Sequence, residues 1–535
     1  MKASAATESA KMTAPPLPPL PSGFAIELDP ATRQLTESVL FGGSPARAMR
    51  LSAAGRAALA ELRAGPVCSA AAGLLARRLT DAGLAHPRPP RGSIADVTVL
   101  IPVRDRAVEL ERCLAAVGRA CRVIVVDDGS ADPGAIAAVA ARHGASLVRR
   151  PVSGGPAAAR NTGLAAVRTG VVAFLDSDCV PPAGWIESLS AHLADPAVGA
   201  VAPRVIGPSA AGPVVPGQPD PGQSGTRQYA AGRSSAGLSS ARRYAARCGS
   251  LDLGAGEARV QPMTKVAYVP TAALVVRRSA LDSIGAALAF DPALRYGEDV
   301  DLVWRLHDAG WRIRYEPVVR VRHEGPGSWP GVLGRRFRYG TSAGPLARRH
   351  PRRLAPLVLA PWPAAAVAAL LARRPLAATL AAGAGWLTLT QTVRRAGLPA
   401  DGAPAATVTA VRQTWLGTGR YATQFAAPAL AAVLVRPGAS TTAGRLGRRA
   451  AAASLLLGPA IDAWRRTRRP DPETGPGLDP VRFALGHIAD DIAYGAGVWT
   501  GCLRARTLAP VTPLISWRPM RITQERNTAD GQHLV

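Results

Sequence analysis

Val171-Val172-Ala173-Phe174-Leu175-Asp176-Ser177-Asp178 is the stretch that decides the fold. Five consecutive apolar residues make a short run that suits a strand buried on both faces. Two acids stand directly at its end. An Asp-x-Asp tripeptide alone is common, and a pair of solvated turn acids accounts for it. The preceding chain changes its weight. Apolar runs at 97–101, 123–126 and 146–148 are each followed by a helical pattern, at 109–117, 136–143 and 157–167. Strands alternating with helices in this way predict a parallel sheet covered on both faces, with 171–175 as its fourth strand.

In open sheets of this kind, ligands bind beyond the carboxyl ends of the strands. Four groups of residues fall there. Pro102, Arg104 and Asp105 follow the first strand. No G-x-G-x-x-G follows it, so a dinucleotide-binding Rossmann domain loses most of its support, and no Walker motif occurs either. Asp127 and Asp128 end the second strand before Gly129-Ser130. Such carboxylates can hold a base edge or ribose hydroxyls, and an ordinary Asp-Gly turn explains them equally well. Asp176 and Asp178 cannot bind an anionic diphosphate directly, but they can hold a hard divalent cation that bridges to its oxygens. Glu298, Asp299 and Asp301 open a helix, where the backbone dipole favours carboxylates. Asp299 is the candidate general base, while Asp301 sits four residues from Arg305 and reads as an ion pair. Arg160, between the third and fourth strands, either meets a phosphate or buttresses the site. His323 ends a later strand and is either structural or a neutral imidazole that completes a metal shell.

The rest of the chain sets the surroundings. Its 535 residues leave room for two or three domains. The formal charge is +27, from 64 basic and 37 acidic residues. Nucleic acid is discounted as a partner, though an Arg-driven nucleic-acid binder stays a rival, because the arginines are spread out and lack interleaved aromatics, which are only 5% of the chain. The arginines thicken after residue 333 beside apolar segments, which points instead to a membrane surface. Residues 354–372 and 376–393 are uncharged and close to spanning length, with arginines between them and on both flanks; spanning, interfacial and soluble helical readings stay open. Six cysteines without a CxxC spacing read as reduced thiols of a protein at the cytoplasmic face. Residues 15–21 are Pro-rich, and no signal-peptide apolar core precedes them. The expected layout is a disordered tail at 1–22 and a small winged-helix-like α+β unit with its linker at 23–92. That unit has two strands, a helix capped by Ser52 and a second helix, with the linker at 87–92. An α/β domain follows at 93–345 with a flexible insert at 207–258, then an Ala-rich helical region at 346–515 and a tail at 516–535.

Taken together, the segments at 101–106 (IPVRDR), 125–130 (VVDDGS), 159–164 (ARNTGL), 174–178 (FLDSD), 297–306 (GEDVDLVWRL) and 321–325 (VRHEG) resemble family-2 glycosyltransferases of the GT-A fold. The resemblance implies a nucleotide-sugar-binding α/β domain and a single displacement that inverts the anomeric carbon. It also implies that Asp105, Asp128 and Asp176 face the nucleotide, that Asp178 holds Mg2+ or Mn2+, and that Asp299 is the base. The Q-x-x-R-W motif of processive members is absent; Arg335-Arg336-Phe337-Arg338-Tyr339 stands in its place. Segments at 17–24, 42–45, 50–52, 79–87 and 490–497 are similar to one branch of that family, the mycofactocin-system glycosyltransferases. That likeness implies a UDP-sugar donor, UDP-glucose, and a peptide-derived redox cofactor, the mycofactocin precursor, as acceptor. The N-terminal unit resembles the small PqqD-like modules that hold peptide precursors, with a plain structural cap as the other reading. Two further alternatives are a membrane-associated transferase of cell-envelope polysaccharide or glycolipid, and a non-catalytic sugar-nucleotide-binding scaffold. A nucleotidylyltransferase would need a Gly-rich loop and a Lys after the first strand, and this chain has neither there.

Overall fold

The computed structural model describes residues 18–90, 92, 96–207, 239–285, 289–395, 397–435, 442–468, 477–516 and 522–524. The expected tails and the middle of the expected insert, 208–238, lie largely outside these residues.

All four apolar runs form strands: β1 (Val97–Val103), β2 (Arg122–Asp128), β3 (Ser146–Arg150) and β4 (Val171–Leu175). They pair in parallel, β1 with β2 and β4, and β2 with β3. Five more strands extend the sheet: β5 (Cys179–Val180), β6 (Val198–Ile206), β7 (Ala258–Val260), β8 (Ala273–Arg277) and β9 (Arg312–His323). The order is β5-β9-β6-β8-β4-β1-β2-β3, with β7 also paired to β9. The half built from β4 to β1 to β3 is parallel, and β8 joins β4 antiparallel. The strand that His323 ends is the long β9. It passes Glu316-Pro317 through a bulge, since Glu316 pairs with Pro203 and Arg320 with the next residue, Arg204.

The core lies on both faces of this sheet, as strands without polar alternation require. Val99, Ile101, Val125 and Leu175 pack on one side with Leu110 and Ile136. Leu100, Val126, Phe174 and Leu274 pack on the other with Leu164 and Trp304. The helix Gly155–Ala166 approaches closely at Gly163, where a Cβ would lie 2.7 Å from Leu100 Cδ1 and 2.8 Å from Val126 Cγ2. That contact holds Arg160 over the strand ends.

The N-terminal unit is richer in strands than its sequence suggested. Beside Ala25–Leu28 and Val39–Gly42 it contains Arg33–Thr36 and Arg47–Arg50, whose charged ends hide the pattern. Ser52 caps Ala53–Ala64 as expected, its Oγ accepting from Gly55 N at 3.0 Å, and Ala70–Ala82 follows. The expected linker is corrected at its start: Ala85–Arg88 is a strand paired with Ala25–Leu28, a two-stranded edge where Pro87 costs no ladder bond that a central strand would need. Ion pairs dock the unit on the sheet. Arg77 grips Asp195 with two bonds of 2.7 Å, Asp81 meets Arg312 at 2.7 Å, and Arg88 meets Glu257 at 2.6 Å.

The C-terminal part is helical, and the spanning reading of 354–393 is corrected. Among the described residues, no helix is long and apolar enough to cross a membrane. The first run is broken: Val358–Leu359 is a short strand paired with Leu514–Ile515, and only Pro361–Leu371 is helical. The second forms Pro375–Arg395. The long helix Ala403–Val435 is kinked at Ala426, two residues before Pro428. Helix Pro480–Ala505 lies against Trp329–Gly340 and Ala343–Arg349 with backbones nearly touching. A Cβ on Gly497 would sit 2.0 Å from Phe337 O, and one on Gly344 2.1 Å from Gly501 O. The part of the insert from 239 onward is built in: helix Ser240–Arg247 places Tyr244 between Trp329 and Phe483, with ring centroids 5.3 and 5.6 Å away. All six cysteines are free thiols.

Candidate active site

A cleft of about 1820 Å3 opens at the carboxyl ends of β1, β2 and β4 and is roofed by the C-terminal helices. Pro102, Arg104, Asp128, Arg160, Asp176, Asp178, Asp299 and His323 all line it. Asp105 and Asp127 do not. Asp105 has a positive φ of 55°, and its Oδ1 accepts from Ala131 N at 2.7 Å while its own N–H donates to Ser130 Oγ at 2.9 Å. It ties the loop after β1 to the loop after β2. Asp127 is buried, and its Oδ1 accepts from Ser130 N at 3.0 Å.

Asp128 works as a latch. Its two oxygens accept from Arg150 Nη1 (2.9 Å), Gly154 N (3.1 Å), Ser153 Oγ (2.8 Å) and Gly155 N (2.8 Å). The loop 150–155 is thereby folded against the strand end. Gly129 is required there: its φ is +71°, and a Cβ would lie 2.7 Å from Ser153 N.

Arg160 is a buttress. It is 3% exposed, donates to Glu298 Oε1 at 2.9 Å and to Asp176 Oδ1 at 2.7 Å, and lies 5.4 Å from the Phe290 ring centroid. A guanidinium so engaged orients two carboxylates. Asp178 pairs through Oδ2 with Arg106, just ahead of helix Ala107–Val117. Its Oδ1 lies 3.5 Å from His323 Nε2. The antiparallel pairing of Cys179 with His323 sets that distance. Burial pushes the His323 imidazole below its ordinary range, against the pull of Asp178, so the ring is neutral and has a lone pair to offer.

Asp299 opens helix Glu298–Asp308 after Gly297, whose φ is +82°. Its Oδ1 accepts from Val300 N at 2.8 Å. Enclosure raises its pKa to about 7, with the charge of Glu298 adding to the rise and the Val300 N–H and Arg160 opposing it. A base poised near neutrality is what proton abstraction from a hydroxyl requires. Asp301 differs. Burial works against its charge, but His350 at 2.9 Å and Arg305 at 2.8 Å hold it low, so it pins the helix as an ion pair.

A divalent cation is implied by the paired acids, and the donor set fits one in part. Among the described residues no group of three or more His, Cys, Asp or Glu side chains is arranged so as to hold a metal ion by itself. Asp178 and the neutral His323 face each other, and Asp176 stands beside them with its side chain 29% exposed. Such an open set suits Mg2+ or Mn2+, which keep positions for phosphate oxygens and water.

The opposite wall was not legible as part of a site. Arg420, Tyr421, Gln424 and Phe425 come from helix Ala403–Val435, and Tyr494 and Val498 from Pro480–Ala505. Buried Asp491 orients the first of these helices, accepting from Arg420 Nε at 3.1 Å and Gln424 Nε2 at 2.7 Å. Its neighbour Asp490 pairs with Arg336 at 3.0 Å. Arg106 was also missed as a partner of Asp178; its place one residue after Asp105 was the available signal.

An α/β sheet with acids at these strand ends defines a nucleotide-sugar-dependent transferase of the GT-A type. The chain belongs to that class: the sequence profile described as Glycosyl transferase family 2 matches residues 98–246. Over 509 residues, 93% of this chain and 98% of theirs, it is 38% identical to the pre-mycofactocin glycosyltransferases of Mycobacterium tuberculosis strains CDC 1551 and H37Rv. Glycosyltransferase AglE of Haloferax volcanii is 32% identical over 118 residues, 20% of this chain and 39% of that protein. Among solved structures, a Pyrobaculum calidifontis mannosyltransferase bound to GDP-mannose and Mn2+ aligns at 21% identity with a TM-score of 0.35, over 69% of this chain and 89% of its own. That alignment is too loose to transfer its ligands.

Proposed function

We propose that the protein is an inverting, metal-dependent hexosyltransferase that moves glucose from UDP-glucose to a hydroxyl of a peptide-derived redox cofactor precursor, pre-mycofactocin. The acceptor rests on identity along nearly the whole chain to proteins of that name. The chemistry rests on one observation: Asp299, poised near pH 7, shares a cleft with Asp176, Asp178 and His323. In this reading Asp299 takes the proton from the acceptor hydroxyl as its oxygen bonds to the anomeric carbon. The bond from that carbon to the UDP oxygen breaks, UDP keeps the electron pair, and the configuration inverts. Arg160 holds Asp176 and Glu298 in place, and the loop latched by Asp128 closes the nucleotide end. Asp178, His323 and Asp176 are assigned to hold Mg2+ or Mn2+, which when bound supplies positive charge for the departing diphosphate. The cleft exceeds the roughly 300–1,000 Å3 of an ordinary small-molecule site, so donor and acceptor can share it. The N-terminal unit, fixed by Arg77, Asp81 and Arg88, is assigned to the peptide part of the acceptor. UDP release from UDP-glucose and Mn2+ that depends on pre-mycofactocin, and that Asp299→Asn abolishes, tests the assignment. An Asp299→Asn protein that still transfers at the wild-type rate would overturn it.

A further inference from the structure

The chain holds only eight tyrosines. Five of them, Tyr268, Tyr296, Tyr339, Tyr421 and Tyr494, line the one cleft that contains Asp299. All five are half-buried, whereas Tyr244 and Tyr315 are packed inside at 1% exposure. The five come from five separate segments, so local sequence does not gather them. Core packing does not account for them either, since it would hide the rings.

Their polar ends carry the argument further. The hydroxyls of Tyr268, Tyr296, Tyr339 and Tyr494 make no hydrogen bond among the described residues, although a phenol enclosed by protein usually finds a partner. The rings themselves are held. Tyr296 and Tyr339 meet edge to face at 6.3 Å, and the Arg336 guanidinium lies 5.3 Å from the Tyr494 centroid. Tyr421 packs on Phe425 at 5.1 Å and donates to Val511 O at 2.7 Å. Fixed rings with free hydroxyls, in a cleft too large for one ligand, form a surface built for contact with a second.

We propose that these tyrosines are the acceptor subsite, and that it takes a hydroxyl-bearing six-membered ring. The ring stacks on tyrosine faces, is hydrogen-bonded by the free phenols, and turns one hydroxyl toward Asp299. This rests on the reading of Asp299 as the base. The same chemistry is offered by an aromatic ring of the acceptor itself or by a sugar ring already attached to it. The C-terminal helices thus serve as the acceptor wall of the active site.

The test is steady-state transfer by the full-length protein with UDP-glucose and Mn2+. N-acetyl-tyrosinamide serves as the aromatic probe and methyl β-glucopyranoside as the sugar probe. At least one probe should be glucosylated, and which one identifies the source of the ring. Tyr421→Ala and Tyr494→Ala should raise KM for that probe at least tenfold while KM for UDP-glucose moves less than twofold. Tyr421→Phe, which keeps the ring, should restore the acceptor KM. An unchanged acceptor KM in the alanine variants, or equal rises in both KM values, would overturn the subsite. So would refusal of both probes by a protein that still hydrolyses UDP-glucose. Absence of UDP release under every condition would instead overturn the parent reading, and this one with it.

Discussion

Asp299→Asn exchanges an ionisable carboxyl for an amide of the same shape and keeps the oxygen that accepts from Val300 N at 2.8 Å. Enclosure, helped by Glu298, raises the carboxyl from 3.8 to about 7. A rise of about 3 units at about 1.36 kcal/mol each amounts to about 4 kcal/mol. The folded protein keeps this proton to higher pH than the unfolded chain does. The stability that the protonated group contributes is therefore full below about pH 4, declines between about pH 4 and 7, and is lost above that. At pH 8 the ionised carboxylate destabilises the fold by up to about 4 kcal/mol, and the amide does not. The variant should be more stable than wild type, by a margin that widens by about 2–3 kcal/mol between pH 5 and pH 8. Urea unfolding followed by tryptophan fluorescence at the two pH values measures it. The same variant should lose about 10²–10⁴-fold in kcat with little change in UDP affinity. Wild-type kcat should rise as pH passes through about 7 and then level off. A stability margin independent of pH, or an active variant, would refute the reasoning.

Asp178→Ala should abolish the Mn2+-dependent thermal protection given by UDP; protection equal to wild type would remove Asp178 from the metal set. Arg77→Ala leaves Asp195 buried without its two 2.7 Å bonds and should cost about 3–5 kcal/mol, read as a lowered urea midpoint. Gly495→Val forces a Cβ to within 1.7 Å of Gln424 O, so helices Ala403–Val435 and Pro480–Ala505 must separate. Limited proteolysis should then cut the C-terminal helices faster while the family-2 core of the chain stays intact.

The parallel half of the sheet was legible because each of its strands is a short apolar run bounded by turn residues, as at 97–101 and 171–175. The acids that end those strands could be placed for the same reason: position follows from the strand. What those acids touch could not be read. Asp128 is occupied by a loop more than twenty residues away, and Arg160 reaches Glu298 across 138 residues. The full length of β9 is not legible past Glu316-Pro317, because the bulge opposite Pro203 that carries the strand through it is a property of pairing. The apolar segments at 354–393 suggested a membrane because alanine and leucine runs look alike in core and bilayer. What holds them, Gly385 against the Trp362 ring and Leu357 against Gly417 of the long helix, is a matter of packing that carries no hydrophobic signal. The tyrosine wall was invisible for a related reason: its five members are scattered from 268 to 494 and meet only in the folded cleft.

The central claim is single-displacement transfer with Asp299 as base, and the configuration of the product tests it most directly. UDP-glucose, whose glucose is α-linked, should be incubated with Mn2+, pre-mycofactocin and the protein, and the purified product examined by proton NMR at the anomeric position. The account predicts a β-glucoside formed together with one UDP per transfer. An α-glucoside, or consumption of pre-mycofactocin without UDP release, would contradict it.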